Sequence, residues 1–463
     1  MQVTATDELL RKLASAMPLS RRSFLTRTAL GLTASVAAGG CRASDDKKLP
    51  ASLRSPDEPI FHNSRDWEEV RGLFSLNPDV VHMSALYVAS HPKPVRDAIE
   101  YYRRELDTNP VVFLNQQNRR RVNEARDAAA RYLGVEERDD IALTDSTTMG
   151  LGLVYNGLRL GEGDEVVTTL NDYYVTHESL RLASERKGIV VRRVQLYEDI
   201  HKATEDSLTK VIVDAINPRT RALALTWVHS GTGLKLPIAR ICNAVQRLNA
   251  KRDDAERVLV VVDGVHGFGV EDVTMPGMGC DFFIAGCHKW LFGPRGTGII
   301  WGSAQGWERM QPIVPSFHDD GTREAWMTGT DVTGRTDGRR MTPGGFKPFE
   351  HQWAISEAFA MHEELGKARV QRRTHDLASQ LKEGLRKMRH VSLRTPMSQK
   401  LSAGIVCLEV DGMDPWTAVA RLRERGIIAT VTPYAERYLR FAPSIRNSPQ
   451  EVEKALEGVR ALA

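Results

Sequence analysis

From about residue 120 to residue 301 the chain alternates short runs of apolar, β-branched residues with longer stretches whose apolar positions recur at helical spacing. The runs are Ile141–Thr144, Glu165–Leu170, Ile189–Val194, Ala222–Val228, Val258–Asp263, Asp281–Ala285 and Gly298–Trp301. Seven strands separated mostly by helices predict an α/β fold with a mainly parallel sheet. Several runs are apolar at successive rather than alternate positions, the pattern of strands covered on both faces by helices. Beyond about residue 350 the pattern changes. A helical stretch from His351 into the 380s leads to three strand-like runs, Ala403–Glu409, Gly426–Thr430 and Tyr438–Phe441, and a last helix. That helix opens with Ser448-Pro449-Gln450-Glu451, a capping box with proline at the first helical position. A smaller α+β C-terminal domain is expected here. Between Val314 and Phe349 the chain is rich in Gly, Thr, Arg and Asp and has no period, as in long connections that are functional or mobile.

With 463 residues, 41% of them hydrophobic, the chain can build a large core and a smaller one. The formal net charge is +4, but the first 41 residues hold five basic and two acidic side chains, which leaves about +1 for the rest. No nucleic-acid partner is expected. Ser20-Arg21-Arg22-Ser23-Phe24-Leu25 precedes an uncharged Ala/Gly-rich run, Ala29 to Gly40, and the two together resemble a twin-arginine (Tat) export signal. Ala38-Gly39-Gly40-Cys41 has the outline of a lipoprotein cleavage site at which Cys41 would be acylated. The expected organisation is a signal over 1–41, an N-terminal extension and arm over 42–114, a large domain over 115–348 and a small domain over 349–463. A Tat signal implies passage through the Tat translocase to the periplasm. It also suits a protein that takes up a cofactor before transport. The remaining cysteines, Cys242, Cys280, Cys287 and Cys407, show no metal-ligand spacing, so neither a metal nor a disulfide framework is expected.

In open α/β sheets ligands bind beyond the carboxyl ends of the strands. Four of those ends carry chemistry of one kind. Val258–Asp263 delivers a carboxylate and then His266. Ile141–Thr144 runs into Asp145-Ser146-Thr147-Thr148, a hydroxyl-rich turn opening a helix, where free N–H groups and the helix dipole favour a phosphate. Glu165–Leu170 is followed by Tyr173-Tyr174, suited to stacking on a planar ring, and the sixth strand delivers His288 and Lys289. An amine, a carboxylate, an aromatic face and a phosphate cradle together describe a site for pyridoxal 5′-phosphate (PLP). Each signal alone has an ordinary structural reading; their joint placement at strand ends is what carries the inference.

With Asp263, His266, His288 and Lys289 in this order, the chain resembles the class V aminotransferases. These are fold type I PLP-dependent enzymes, whose architecture is shared by cysteine desulfurases and isopenicillin N epimerase. Lys93-Pro94-Val95 and Asn109-Pro110-Val111-Val112-Phe113-Leu114 are similar to the isopenicillin N epimerase-like branch. The resemblance implies Lys289 as the catalytic Schiff-base lysine, Asp263 as partner of the ring nitrogen and His266 as a contact of the ring hydroxyl. It implies Thr147, Thr148 and His288 as phosphate ligands and Tyr173 as the stacking residue. Thr342, beside Pro343, would reach the phosphate from a partner subunit, which implies a homodimer with active sites at its interface. Arg440 would grip the substrate α-carboxylate with its planar fork. The family often has a serine where Gly286 stands, and no cysteine occupies the Thr430 to Tyr434 segment where desulfurases keep their nucleophile.

The expected substrate is an amino acid or an amino-acid unit of a peptide, acted on at its amino group or Cα. Export argues against a supply of keto-acid co-substrate, and the chain is similar to Tat-exported class V enzymes that modify peptide siderophore precursors. Transamination, epimerisation and elimination all remain open at this level. A PLP-fold protein retained only for binding a partner is the non-enzymatic alternative.

Overall fold

The computed structural model describes residues 53–55 and 57–463, so the expected export signal and Cys41 lie outside the described residues. Thirteen strands follow in chain order. They are β1 (Val81–His82), β2 (Ile141–Thr144), β3 (Glu165–Thr169), β4 (Val190–Val194), β5 (Thr220–Thr226), β6 (Leu259–Asp263), β7 (Phe282–Gly286), β8 (Gly298–Gly302), β9 (Val391–Leu393), β10 (Val406–Val410), β11 (Ile427–Ile428), β12 (Thr430–Val431) and β13 (Leu439–Phe441). The seven runs expected from the sequence form one sheet in the order β2-β8-β7-β6-β5-β3-β4. Only β8 runs against its neighbours; the other pairings are parallel.

Except at the edge strand β4, both faces of this sheet are buried, and the residues divide between them with period two. Leu223, Leu225, Val260, Val262 and Phe283 join one apolar cluster, while Ala222, Ala224, Leu259, Val261 and Phe282 join another on the opposite face. This is why the central runs carry no polar alternation. Immediately after β6 the packing is so close that a Cβ on Gly264 would lie 2.0 Å from the Phe283 ring. Because β2, β3, β5, β6 and β7 point the same way, their carboxyl ends gather at one edge of the sheet.

A second, antiparallel sheet has the order β12-β13-β10-β9 and its own apolar cluster, including Leu381, Leu408, Leu422 and Leu456. The last helix, Pro449–Arg460, has the expected capping box: Glu451 N donates to Ser448 Oγ at 3.1 Å and Ser448 N to Glu451 Oε2 at 2.8 Å. Some elements differ from the sequence reading. Gly426–Thr430 is not one strand but β11 and the start of β12, and β11 pairs in parallel with β1, Val81 opposite Ile427. Strands of two or three residues such as β1 and β9 are too short to show a period. The helical stretch after His351 is three helices, Phe349–Trp353, Ile355–Leu365 and Lys367–Arg386, the last two parted at Gly366 with φ 80°. The aperiodic segment from 314 to 349 contains two helices, Asp320–Thr328 and Gly338–Met341.

Helix Lys367–Arg386 is tied through Glu271 to the connections that follow β5 and β6. This carboxylate is 7% exposed, accepts a hydrogen bond from Lys235 Nζ at 2.7 Å and lies 2.6 Å from His375 Nε2. Removing one partner of a buried ion pair leaves the other uncompensated. Glu271→Ala is therefore expected to lower unfolding free energy by on the order of 3–5 kcal/mol in denaturant titrations. A loss below about 1 kcal/mol, the range of exposed pairs, would contradict this role.

Candidate active site

The strand ends, the small sheet and the segment after β1 enclose a cavity of about 640 Å³. Lys289 lies three residues beyond β7, and Asp263 is the last residue of the neighbouring β6. Burial pulls the Lys289 amine down to about 8, with Asp263 opposing the shift. Burial likewise pushes the Asp263 carboxyl up to about 6, against the opposing effects of a hydrogen bond from Val265 N and the charge of Lys289. The amine is thus half neutral near pH 8, where an ordinary lysine is almost fully protonated.

Around this pair the remaining groups are prepared as donors. Trp290 Nε1 donates to His266 Nδ1 at 3.3 Å, and burial holds the His266 imidazole neutral by lowering its pKa well below the usual range. A neutral ring that accepts at Nδ1 carries its proton on Nε2. Ser146 caps helix Thr147–Gly157 by accepting from Met149 N at 3.1 Å, so the first N–H groups of that helix end at the cavity. Thr147 Oγ1 accepts from Gly286 N at 2.8 Å, which leaves its own proton to donate. His288 Nδ1 is buried without a partner. Tyr173 lines the cavity and sits edge-on to Tyr434, ring centroids 5.9 Å apart, whereas Tyr174 is 62% exposed and points elsewhere.

Gly286 now has a physical reason. A Cβ there would stand 3.1 Å from Thr147 Oγ1 and 3.0 Å from His288 Cε1. The threonine hydroxyl and the imidazole occupy the space that a serine would need.

Arg440 is 3% exposed on β13. Its Nη1 donates to Ser230 O at 2.8 Å and its Nε to Thr430 Oγ1 at 3.1 Å, and no carboxylate pairs with it among the described residues. Burial lowers its pKa. A guanidinium buried against carbonyls and a hydroxyl, and opening on a cavity, can receive an anion.

Eight of the nine expected site residues therefore meet in one cavity: Lys289, Asp263, His266, Thr147, Thr148, Tyr173, His288 and Arg440. Thr342 does not. It is fully buried, its hydroxyl donates to Gly338 O at 2.8 Å, and it accepts from Leu143 N at 3.1 Å and Arg126 Nη2 at 2.9 Å. A hydroxyl consumed in this way inside its own chain has nothing to offer a phosphate in a second subunit, so the expectation for Thr342 is corrected. Sequence reasoning missed Tyr87, Trp416 and Arg423, which also line the cavity; Ser230, another lining residue, lies in the segment Thr226 to Gly233 that the family resemblance places close to the cofactor. Trp416 and Arg423, with Val419 between them, do show an i, i+3, i+7 spacing, a signal of one helix face that could have been read. Cys242, Cys280, Cys287 and Cys407 are all buried, and none lines the cavity. Burial pushes the Cys407 thiol up to about 12, out of nucleophilic range.

The donor set fits PLP: a half-neutral amine for its aldehyde, a buried carboxyl for the ring nitrogen, and hydroxyls, a helix N-terminus and an orphaned imidazole nitrogen for its phosphate. Comparison with known proteins agrees. Residues 88–433 match the family described as aminotransferase class-V, and the chain belongs to that family. It is a PLP-dependent enzyme of fold type I. It is similar to isopenicillin N epimerase of Streptomyces clavuligerus, 27% identical over 406 residues that cover 86% of this chain and 98% of the epimerase. A cysteine desulfurase of Klebsiella pneumoniae is 26% identical over 257 residues, 53% of this chain and 60% of the desulfurase. Among solved structures, a C-DES mutant with glycine covalently linked to its PLP cofactor superposes with a TM-score of 0.76 at 20% identity, covering 84% of this chain and 98% of that one.

Two outcomes follow from this geometry. The rate at which apoenzyme takes up PLP into a borohydride-reducible imine should rise with pH and reach its midpoint near 8. A midpoint above about 10, the ordinary lysine range, would contradict the desolvated amine. Gly286→Ser should displace His288 and weaken PLP binding several-fold in titrations of the apoenzyme. An unchanged affinity would show that the space beside Thr147 is not limiting.

Proposed function

We propose that the enzyme acts at the amino group and Cα of an α-amino acid, free or as a unit of a peptide, and leaves the side-chain sulfur chemistry of the desulfurases aside. The observation that carries this reading is the buried, carboxylate-free guanidinium of Arg440 facing the same cavity as Lys289. An α-carboxylate is the anion that would place a substrate amine beside that lysine.

PLP, when bound, supplies an aldehyde that takes up the substrate amine and a ring that accepts the electrons left at Cα. Asp263 would hold a proton at the ring nitrogen, His266 would donate through Nε2 to the ring hydroxyl, and Tyr173 would cover a ring face. Thr147, Thr148 and His288 would hold the phosphate at the helix N-terminus. Arg440 would fix the substrate by its carboxylate, an interaction favoured by exclusion of water. Lys289, neutral in a large fraction near pH 8, takes the proton from Cα and returns it. Protonation of Cα by Lys289 from the same face would give exchange, and protonation of the opposite face by a second donor would give epimerisation; transamination and elimination are the other outcomes open to the same amine and cofactor. Similarity to an epimerase over nearly its whole length supports chemistry at Cα. So does the lack of a cysteine lining the cavity among the described residues.

The biological setting is proposed from the sequence. The paired arginines at 21 and 22 support Tat export to the periplasm, with the organisation 1–41, 42–114, 115–348 and 349–463. An exported enzyme of this kind would mature an amino-acid unit of a siderophore or other secondary-metabolite precursor. A homodimer is supported by the apolar side chains that the 314–349 segment leaves exposed, Trp326 at 81% and Phe346 at 83%.

Incubating the holoenzyme in deuterated water with a panel of amino acids, and scoring Cα deuterium, ammonia and hydrogen peroxide, tests the reaction class. Deuterium should appear at Cα and fall by about 10²-fold or more in Lys289→Ala. Absence of exchange with every amino acid would defeat the proposal.

A further inference from the structure

The turn that carries Lys289 is gripped from behind by helix Ile355–Leu365, none of whose residues lines the cavity. On one side of the turn the backbone of Gly269 lies so close that a Cβ there would stand 2.6 Å from Trp290 C and from Leu291 N. On another, the helix presents Ala358 and His362, which share one face at i, i+4 spacing. A Cβ on Gly293 would meet Ala358 Cβ at 3.5 Å. His362 stacks on the Phe292 ring, with centroids 6.2 Å and planes 22° apart.

Packing alone does not explain an imidazole there. His362 is fully buried, and burial lowers its pKa to about 4, so the ring is neutral. Its nitrogens face the backbone of Trp290 and Leu291, an interaction that favours the ring's proton and therefore involves carbonyl oxygens. Among the described residues neither nitrogen closes a hydrogen bond. Leucine or phenylalanine would fill such a place without a desolvated N–H. What the imidazole adds is a proton directed at the turn. The turn in its own right needs an external hold, because Phe292 has φ 60°, a conformation that a residue with a Cβ adopts at a cost. It also reaches the cavity twice: Phe292 N donates to Lys289 O at 3.1 Å, and Trp290 Nε1 donates to His266 Nδ1 at 3.3 Å. Any shift of the turn therefore moves Lys289 and His266 together.

We propose that His362 is a positioning residue for Lys289: by stacking on Phe292 and directing its N–H at the Trp290 and Leu291 carbonyls, it keeps the turn in the form that buries the lysine amine and orients His266. This role rests on Lys289 as the amine that takes up PLP, and it places part of the control of that amine on a helix outside the cavity.

The test follows PLP uptake by the full-length apoenzyme into a borohydride-reducible imine as a function of pH, with circular dichroism as the check of folding. His362→Phe keeps a ring and loses the N–H, His362→Gln keeps an N–H donor, and Phe292→Gly relieves the left-handed residue and removes the stacked ring. The titratable and charged groups that face the amine, Asp263, Arg440, His266 and His288, stay in place in all three, so a changed profile reports the position of Lys289. With the hold lost the amine regains solvent, and the midpoint should rise from near 8 toward the ordinary lysine range. A rise of about one unit lowers the rate at pH 8 about fivefold, the loss expected in His362→Phe and in Phe292→Gly. His362→Gln should stay within about twofold of wild type, and adding Phe292→Gly to His362→Phe should cost little more than either change alone. A folded His362→Phe with the wild-type midpoint, or a His362→Gln as impaired as His362→Phe, overturns the role. Should the His362 variants not fold, Phe292→Gly decides, and an unchanged midpoint there overturns it as well. A wild-type enzyme that forms no imine at Lys289 refutes the assignment of that lysine instead, and the role of His362 falls with it.

Discussion

Lys289 and Asp263 occupy one desolvated cavity, where burial draws the amine down to about 8 and the carboxyl up to about 6. Each group alone would be a liability in a core, since an isolated buried charge is costly. Placed on adjacent strand ends they moderate one another, and both stand ready for a ligand that consumes an amine and needs a carboxylate. Holding them there requires strands that cannot shift. β6 and β7 are buried along their whole length and paired in register, Val262 opposite Phe283 and Asp263 opposite Ile284. The backbone that follows Asp263 packs against Phe283 with no room for a side chain at Gly264.

The cavity is completed by chain segments remote from the sheet. Arg440 and Thr430 come from the small sheet, and Leu86 and Tyr87 from the segment after β1. That segment is itself held at both ends: β1 pairs with β11 of the small domain, and Ala89 N donates to His288 O at 3.2 Å. The turn after Lys289 also stores local strain, with Phe292 at φ 60° as the one non-glycine in the left-handed region among the described residues. Its ring is buried and meets Phe74 edge-on at 5.0 Å, packing that keeps the turn in place. The lysine is thus positioned by a strand on one side and by a packed, strained turn on the other.

Much of this was legible in the chain. Runs such as Val258–Asp263 are long and apolar enough to declare themselves, and the residues just past their ends were the right ones to question. Thr147, Asp263, His288 and Lys289 were found that way. Arg440 needed the family resemblance, because a single arginine in a short strand has no pattern of its own. Thr342 failed for an instructive reason. A Thr-Pro pair in an aperiodic segment says nothing about which hydrogen bonds the hydroxyl makes, and those with Leu143, Arg126 and Gly338 depend on elements about 200 residues away in the chain for two of the three partners. Tyr87 was invisible for the same reason: tertiary contact, not local period, brings it to the site. The reason for glycine at 286 likewise emerged only when Thr147 and His288 were seen to fill the space beside it.

The proposed chemistry depends on Lys289 as the amine that holds the cofactor. Reducing the holoenzyme with borohydride, digesting it and mapping the labelled peptide by mass spectrometry tests this directly. The pyridoxyl group should be found on the peptide spanning His288 to Arg295, at Lys289 and in near-stoichiometric amount. A label on another lysine, or none on this peptide, would contradict the site described.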